Sequence, residues 1–330
     1  MWGGAPIDTI GAMGRIVTVT GLMFLAGCGS GGGGGEVLRG WGSPGREAGR
    51  FVKPRGIAVD QQRKATYVVD MSGRLQKFDM DGGFLGSVIL PDSERGTGEG
   101  LCITAKGELL VADTHYHRVL RYSPELDLLG SFGRAGTGEG EMLFPTCVAV
   151  DAKGAIYVAG YGDNRIHKYD ASYRHLFSWG SLGPKPGQFQ RPSGIALEKN
   201  GNVLVADAAN HRVQRFTSEG KLLSSWGSKG TGPGQLHYPY DLAVMPDGSV
   251  VVAENYNNRL QRFTPDGEPL GTYGGPGHDL GSFARPWCLV SLADGRLFVS
   301  DTLNHRIQVL RLNGVGVPAG GEALSARVSR

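Results

Sequence analysis

The chain has 330 residues, 40% of them hydrophobic, which is enough for one large domain. With 34 basic and 31 acidic residues its formal net charge is +3, a balance that argues against a nucleic-acid or strongly acidic partner. Glycine is far above its usual share, with 55 residues, and the excess falls mainly in turn segments. This composition predicts a compact protein with many turns.

The first segment, residues 1–27, is predicted to be a signal peptide. Arg15 precedes an uncharged run, Ile16–Gly27, which is too short to span a bilayer and is typical of the apolar part of such a signal. The run ends in Leu-Ala-Gly-Cys, which resembles the lipobox of bacterial lipoproteins. That resemblance implies cleavage before Cys28 and lipid attachment to Cys28. The alternative is an ordinary secretory signal followed by an accidental cysteine.

Residues 28–36 are predicted to tether the lipid to a folded domain, because a run of glycines stays a flexible coil. The lipoprotein resemblance implies the bacterial cell envelope, with the Cys28 lipid as the membrane contact. Glycine rather than aspartate at position 29 favours the outer membrane. Whether the domain faces the periplasm or the exterior, and whether translation starts at Met1 or Met13, is left open.

Residues 37–312 contain six copies of one pattern. The clearest copy, residues 189–227, has four short β-type runs separated by turn residues. Four antiparallel strands of this length cannot bury both faces of their sheet, so they need copies to pack against. The arginine that begins the third run recurs, with one spacing of 44 residues and four of 47, at Arg74, Arg118, Arg165, Arg212, Arg259 and Arg306. The sequence therefore predicts an all-β ring of six four-stranded blades.

The repeat has a recognisable signature. Phe189, Pro192, a Gly-Ile-Ala segment, a strand ending in Val-Ala-Asp and an Asn-x-Arg-hydrophobic-Gln segment together resemble the NHL repeat. That resemblance implies a six-bladed β-propeller. The sixth repeat lacks a fourth run, but residues 36–42 end in Trp41-Gly42, as the fourth runs of other repeats do. The N-terminal strand is expected to complete the last blade and protect its edge, and residues 313–330 are predicted to form a loose tail.

Three cysteines and one aspartate are candidate metal ligands. Cys102, Cys147 and Cys288 are aligned with the glycine of the Pro-x-Gly motif, and Asp241 takes that place in the fifth repeat. The alignment puts them at one level beside the mouth of the channel, where a single soft ion such as zinc or copper could bind. The alternative is small buried thiols that fill a narrow channel, and no other cofactor is predicted. Whether the thiols are free, disulfide-bonded or metal-bound is left open.

Other polar residues recur in ways that indicate structure. His117, His211 and His305 occupy one loop position in alternate repeats, with Asn164 and Asn258 between them. Since these loops lie far apart in a ring, one ion cannot reach all three histidines, and solvated or turn-bonded side chains are expected. An acid that ends the second run and the arginine that begins the third recur in nearly every repeat, which predicts structural pairs.

The face that carries the long loops is expected to bind the ligand. Its candidate contact residues are Tyr116, Tyr161, Tyr240, Tyr256 and Trp287. Packing between loops is an equal alternative for these rings. The prediction is a monomeric binding or scaffold module for a protein, peptide or glycan. Export makes RNA an unsuitable partner.

An enzyme is the alternative prediction. Active propellers related to the NHL repeat resemble peptidyl-hydroxyglycine lyases and lactonases, which implies a metal in the central channel. No matching set of channel ligands aligns in this sequence, so no catalytic residue is assigned. The sequence favours a binding module over a metal-dependent lyase or lactonase-like hydrolase and does not identify the ligand.

Overall fold

The computed structural model describes residues 34–96 and 98–314. The predicted signal peptide, Cys28, most of the tether and residues 315–330 of the predicted tail lie outside this range. The described chain forms six four-stranded antiparallel sheets, and the first strand of each sheet contacts the first strands of two neighbouring sheets, which closes a ring. The predicted all-β, six-bladed architecture is confirmed.

The strands are numbered in chain order from β1, Gly35–Trp41. Blade 1 contains β2 (Pro54–Asp60), β3 (Ala65–Asp70), β4 (Arg74–Asp79) and β5 (Phe84–Ile89). Blade 2 contains β6 (Leu101–Ile103), β7 (Leu109–Asp113), β8 (Arg118–Tyr122) and β9 (Leu128–Phe132). Blade 3 contains β10 (Pro145–Val150), β11 (Ile156–Gly160), β12 (Arg165–Tyr169) and β13 (His175–Trp179).

The second half of the ring follows the same order. Blade 4 contains β14 (Pro192–Leu197), β15 (Val203–Asp207), β16 (Arg212–Phe216) and β17 (Leu222–Trp226). Blade 5 contains β18 (Pro239–Val244), β19 (Val250–Glu254), β20 (Arg259–Phe263) and β21 (Pro269–Tyr273). Blade 6 contains β22 (Pro286–Ser291), β23 (Arg296–Asp301) and β24 (Arg306–Leu312), with β1 as its fourth strand.

The described helices are short 3-10 turns. They span Ser93–Arg95, Thr114–Tyr116, Ala208–Asn210 and Thr302–Asn304. Across the described ranges, no helix has both the length and the hydropathy that crossing a membrane would need.

The ring closes through its N-terminal strand, as the sequence predicts. Strand β1 pairs antiparallel with β24 from Gly35, opposite Leu312, to Trp41, opposite Ile307, with one irregularity in register after Val37. The strand supplies the hydrogen bonds that the outer edge of β24 would otherwise lack. Blade 6 is thus built from both ends of the described chain.

The hydrophobic core is divided among the six blade interfaces. Each interface holds one buried cluster drawn from the two facing sheets. Between blades 3 and 4, for example, Tyr157, Phe189 and Val205 have no exposed surface. Removing apolar surface from water yields about 25 cal/mol for each Å² buried, so every blade depends on its neighbours for stability.

A repeated hydrogen bond links neighbouring blades on the loop face. We call it the latch, and in it the side chain of the residue before the third strand accepts a hydrogen bond from a backbone N–H of the next blade. His117 Nδ1 accepts from Phe144 at 2.9 Å, and Asn164 Oδ1 accepts from Arg191 at 2.9 Å. The equivalent pairs are His211 with Tyr238, Asn258 with Arg285 and, across the closure, His305 with Lys53. The three histidines are therefore bonded to the next blade, and not within their own turns as the sequence had suggested.

The recurrent acid and arginine also form a structural unit. Buried Asp207 accepts hydrogen bonds from Arg212 Nε at 2.8 Å and from Gln214 Nε2 at 3.1 Å. Arg212 also donates to three backbone carbonyls in the segment that precedes its own blade. Acid–arginine pairs at the same place join Asp70 to Arg74, Asp113 to Arg118, Glu254 to Arg259 and Asp301 to Arg306.

Blade 3 departs from this unit. Gly160 stands where the acid would be, and the carboxylate of Asp163 fills the space that a side chain at position 160 would occupy. His167 replaces the usual glutamine, and its Nε2 lies 2.9 Å from Asp163 Oδ2, with both side chains almost fully buried. The acid is thus supplied from the loop rather than from the strand.

Candidate functional site

The central channel is lined by the first strands of all six blades and encloses about 420 Å³. In each blade one position, within the first strand or directly before it, abuts the next blade. The residues at this position are Gly56, Gly100, Cys147, Gly194, Asp241 and Cys288. A Cβ added to Gly100 would lie 2.5 Å from the carbonyl oxygen of Thr146, so the neighbouring strands approach too closely there for a side chain.

Where this position carries a side chain, that side chain bonds to the next strand. The thiol of Cys147 accepts a hydrogen bond from the Ile195 N–H at 3.3 Å, and that of Cys288 accepts from the Ile57 N–H at 3.4 Å. Asp241 Oδ2 accepts from the Leu289 N–H at 2.8 Å. These groups join neighbouring first strands.

Cys102 does not share this level, and that part of the predicted placement is wrong. In blade 2 the Ala112 N–H donates to the carbonyl of Gly100. Ala159 is the equivalent of Ala112 in blade 3, and it pairs with Cys147. Gly100, and not Cys102, is therefore the counterpart of Cys147. Cys102 therefore lies two residues further along its strand than predicted. The second repeat was aligned two residues out of register because blade 2 has glycine at position 98, where the other blades have proline.

The three thiols are free, and burial raises the pKa of each. The pKa of Cys102 rises to about 12 through burial alone. Burial also raises the pKa of Asp241 to about 7, against the opposing effect of its bond from Leu289. Among the residues that the structure describes, no group of three or more His, Cys, Asp or Glu is arranged to hold a metal ion, so the metal site stays a prediction without a fitting ligand set.

The mouth of the channel is formed by the residue just before the abutting position in each blade. We call these six residues the mouth ring: Arg55, Glu99, Thr146, Ser193, Tyr240 and Trp287. Thr146 and Ser193 donate to backbone carbonyls of the next blade and so continue the strand contacts. The other four interact mainly with one another.

Those four residues make a closed set of contacts over the channel. Glu99 forms an ion pair with Arg55 and accepts a hydrogen bond from the Tyr240 hydroxyl at 2.6 Å. The Tyr240 ring packs on Trp287 with centroids 3.8 Å apart, and the Arg55 guanidinium lies 4.2 Å from the Trp287 ring centroid. Glu99 belongs to blade 2 and Tyr240 to blade 5, which are opposite in a six-membered ring, so their hydrogen bond crosses the channel mouth.

A second cavity of about 590 Å³ opens above these residues on the loop face. We call it the mouth cavity. Its aromatic lining includes Tyr161, Tyr238, Tyr240, Tyr256 and Trp287, and Arg55, Arg191 and Arg285 are its cationic side chains. A cavity of this size with several rings and a few charged groups is typical of sites for small ligands.

Four of the five predicted contact residues line the mouth cavity. Tyr161, Tyr240, Tyr256 and Trp287 are brought together there. Tyr116 does not line it and lies instead beside Arg118, whose guanidinium carbon is 5.3 Å from the ring centroid. Whether these rings bind a ligand stays a prediction.

The sequence reasoning missed the polar part of the cavity. Arg191 and Arg285 stand directly before the proline of the repeat, and Arg55 and Glu99 fall at the position between the proline, or its replacement, and the abutting residue. The available signal was that this last position holds six different residue types in six otherwise similar repeats. A position that varies while its neighbours repeat is free of the structural requirement that the neighbours share.

Comparisons with known proteins agree with this architecture. The NHL repeat profile matches residues 189–216, 236–263 and 283–310. No curated protein matches the sequence significantly. The fold is similar to that of virginiamycin B lyase from Staphylococcus aureus, with 14% identity and a TM-score of 0.59 over 79% of this chain and 95% of the lyase. It is also similar to a gluconolactonase from Xanthomonas campestris, with 16% identity and a TM-score of 0.62 over 80% of this chain and 88% of that protein.

Identities this low relate folds and leave activity undetermined. Blades 4, 5 and 6 carry the matched repeats, and blades 1, 2 and 3 have the same four-stranded order. The chain therefore contains NHL repeats, and its described part forms a six-bladed β-propeller.

Proposed function

We propose that this protein is a lipid-anchored envelope protein whose propeller binds a ligand in the mouth cavity. The observation that carries the binding proposal is the set of aromatic rings gathered over a closed channel mouth. Tyr238 and Tyr256 have ring centroids 4.9 Å apart, and Tyr240 packs on Trp287 below them. Rigid aromatic rings supply contact area at a low cost in conformational entropy, which suits them to hold a small molecule or the end of a peptide or glycan.

The binding proposal is tested by ligand-observed NMR with a set of monosaccharides, disaccharides and short peptides on the soluble domain. We expect a subset to bind wild-type protein and to be lost in Tyr256→Ser, which changes an exposed ring and should leave the fold intact. Leu223→Ser, on the outer strand of blade 4, is the matched control. Binding that survives Tyr256→Ser and also Trp287→Ala would place the ligand elsewhere.

The anchoring proposal is supported by the Leu-Ala-Gly-Cys segment and the glycine run after it. In a bacterial host, the full-length chain is expected in the membrane fraction, with a lipid-modified N-terminal Cys28 detectable by mass spectrometry. Cys28→Ser should remove the lipid and release the protein. A Cys28→Ser variant that stays in the membrane fraction would contradict the proposal.

The enzyme alternative, a metal-dependent lyase or lactonase-like hydrolase, receives less support. The related enzymes hold a metal in the channel, and the channel here offers half-buried thiols and two carboxyl groups. Asp241 is already bonded to the Leu289 N–H, and Glu99 is paired with Arg55. The described residues do not fit such an ion, so no reaction step is assigned to them.

A further inference from the structure

The charges of the mouth cavity are unbalanced. Three guanidinium groups line it, on Arg55, Arg191 and Arg285, and Glu99 is the only carboxylate in the lining. Glu99 is already paired with Arg55. Within the described part of the chain, Arg191 and Arg285 form no ion pair with an acid, and this leaves the cavity with two uncompensated positive charges.

These two arginines are held in place by the fold. Each has a positive backbone φ, 57° for Arg191 and 53° for Arg285, and each gives its backbone N–H to a latch asparagine. The guanidinium carbon of Arg191 lies 5.5 Å from the Tyr161 ring centroid, and that of Arg285 lies 5.0 Å from the Tyr256 centroid. Backbone and ring contacts together limit where each charge can point, which lowers the entropy lost when an anion binds.

The same cavity has hydrogen-bond donors without acceptors. The Nδ2 of Asn255, the Nε1 of Trp287 and the Nε of Arg55 are buried and have no hydrogen-bond partner in the structure. Asn255 is only 2% exposed. Buried polar groups are almost always paired, because an unpaired donor loses its bond to water without replacement. These donors belong to residues that line the cavity, but the atoms themselves have almost no exposed surface. The exposed Arg191 and Arg285 side chains are therefore the groups that a ligand would meet first.

The aromatic walls define the rest of the ligand. Flat faces from Tyr238, Tyr256 and Trp287 surround a space of about 590 Å³. Such faces stack on rings, whether aromatic or saccharide, and offer little to a flexible alkyl chain. A guanidinium group meets a carboxylate, as it does a phosphate, through two parallel hydrogen bonds, so a carboxylate is a suitable acceptor group for these two arginines.

We propose that the mouth cavity binds a small carboxylate attached to a ring, with the carboxylate at Arg191 and Arg285 and the ring on the tyrosine and tryptophan faces. This inference rests on the proposed binding function and specifies its ligand. Two sources share this chemistry, sugar acids and aromatic acids, and they differ in whether the ring carries hydroxyl groups.

The test measures the affinity of the soluble domain for two acids and their neutral amides by isothermal titration calorimetry. Glucuronate with glucuronamide represents the sugar acids, and phenylacetate with phenylacetamide represents the aromatic acids. At least one acid should bind about tenfold or more tightly than its amide, since a charge-assisted bond is lost in the amide. Tighter binding of glucuronate would identify the ligand as a sugar acid, and tighter binding of phenylacetate would identify it as an aromatic acid.

Variants test whether Arg191 and Arg285 bind the carboxylate. Arg191→Gln and Arg285→Gln should each weaken binding of the preferred acid by about tenfold and leave amide binding unchanged. Arg174→Gln removes an exposed charge on the opposite face, in the turn between β12 and β13, and should leave affinity for the acid unchanged.

The outcomes separate this inference from the binding function on which it rests. Equal affinity for acid and amide, with binding still lost in Tyr256→Ser, would overturn the carboxylate assignment and leave the cavity as the binding site. Acid binding that both arginine variants retain would also overturn it. If neither acid binds at millimolar concentration, the carboxylate inference fails, and the saccharide and peptide set decides the binding function independently.

Discussion

Two positions in each repeat, separated by a single residue, behave in opposite ways. The residue before the proline gives its backbone N–H to the latch in five of the blades, and the side chains that accept it are always histidine or asparagine. Two residues later the chain reaches the mouth ring, where no residue type occurs twice. Repetition marks contacts that hold the ring together, and variation marks the surface that is free to bind a ligand. Changes at repeated positions should therefore cost more stability than changes at the mouth ring.

The largest loss of stability is expected when the ring is opened. Deleting residues 35–42 removes β1, leaves β24 as an unpaired edge and exposes part of two blade interfaces. The melting temperature in a calorimetric scan should fall by about 10 °C or more, or the chain should aggregate. A chain that starts at Gly34 is the control, and an unchanged melting temperature after the deletion would show that β1 does not close the ring.

Removing one repeated acid is expected to have the next largest effect. Asp207→Ala leaves Arg212, Gln214 and the Gln190 N–H without their common acceptor. Breaking such a buried network by removing one partner costs about 3–5 kcal/mol, measurable by urea unfolding. Glu219→Ala, at an exposed turn, should change little. A loss of ligand affinity without a loss of stability would contradict the structural role.

At the mouth ring, Tyr240→Phe should cost less. The change removes the hydroxyl that bonds to Glu99 but keeps the ring contact with Trp287, so we expect a loss of about 1–2 kcal/mol in urea unfolding. Trp287 fluorescence should change because its neighbour is released from the Glu99 bond. Tyr161→Phe is the matched control, since its hydroxyl bonds to the Tyr238 hydroxyl within the same face rather than to a carboxylate across the channel, and it should cost less. The reverse order would show that the bond across the channel contributes nothing.

The smallest expected effect is on how the stability of the folded protein depends on pH, through the histidines of two latches. Burial, assisted by His115 and His237 respectively, lowers the pKa of His117 and of His211. The unfolded chain, in which histidine has a pKa of about 6.5, therefore takes up protons before the folded state does, and stability falls as the pH drops below that value. Protonated Nδ1 also cannot accept the latch hydrogen bond.

Asparagine already serves as the latch side chain in blades 3 and 5, which provides a non-titrating replacement. The double variant His117→Asn, His211→Asn should lose less stability than wild type between pH 7 and pH 5, as measured by thermal unfolding. Equal losses in the two proteins would assign the pH dependence to other groups.

The sequence predicts the propeller well because its signal is repeated six times and any one repeat can be imperfect. The closure by β1 was predictable from Trp41-Gly42. The alternation of histidine and asparagine indicated a structural position, but the hydrogen bond to the next blade could not be predicted from it. The position of Cys102 was not, because blade 2 lacks the proline that fixes the alignment. The replacement of the strand acid by Asp163 in blade 3 was also hidden, since it moves a carboxylate three residues along the chain.

The mouth cavity was predictable only in part. Aromatic residues on the loops could be identified from the sequence, but the bond from Tyr240 to Glu99 joins residues 141 positions apart in opposite blades. Such a contact follows from the diameter of the ring and from side-chain directions, neither of which a repeat pattern contains. The unpaired donors of Asn255 and Trp287 become visible only when every hydrogen bond is assigned.

The pairing of β1 with β24 also fixes an order of events during synthesis. The first strand of the propeller to leave the ribosome has its partner in the last strand, so it must wait until the whole chain has been made. Blades 1 to 5 can form in succession, but blade 6, which closes the ring, cannot form until β24 is available. A nascent chain of this kind keeps its ring open until β24 has left the ribosome.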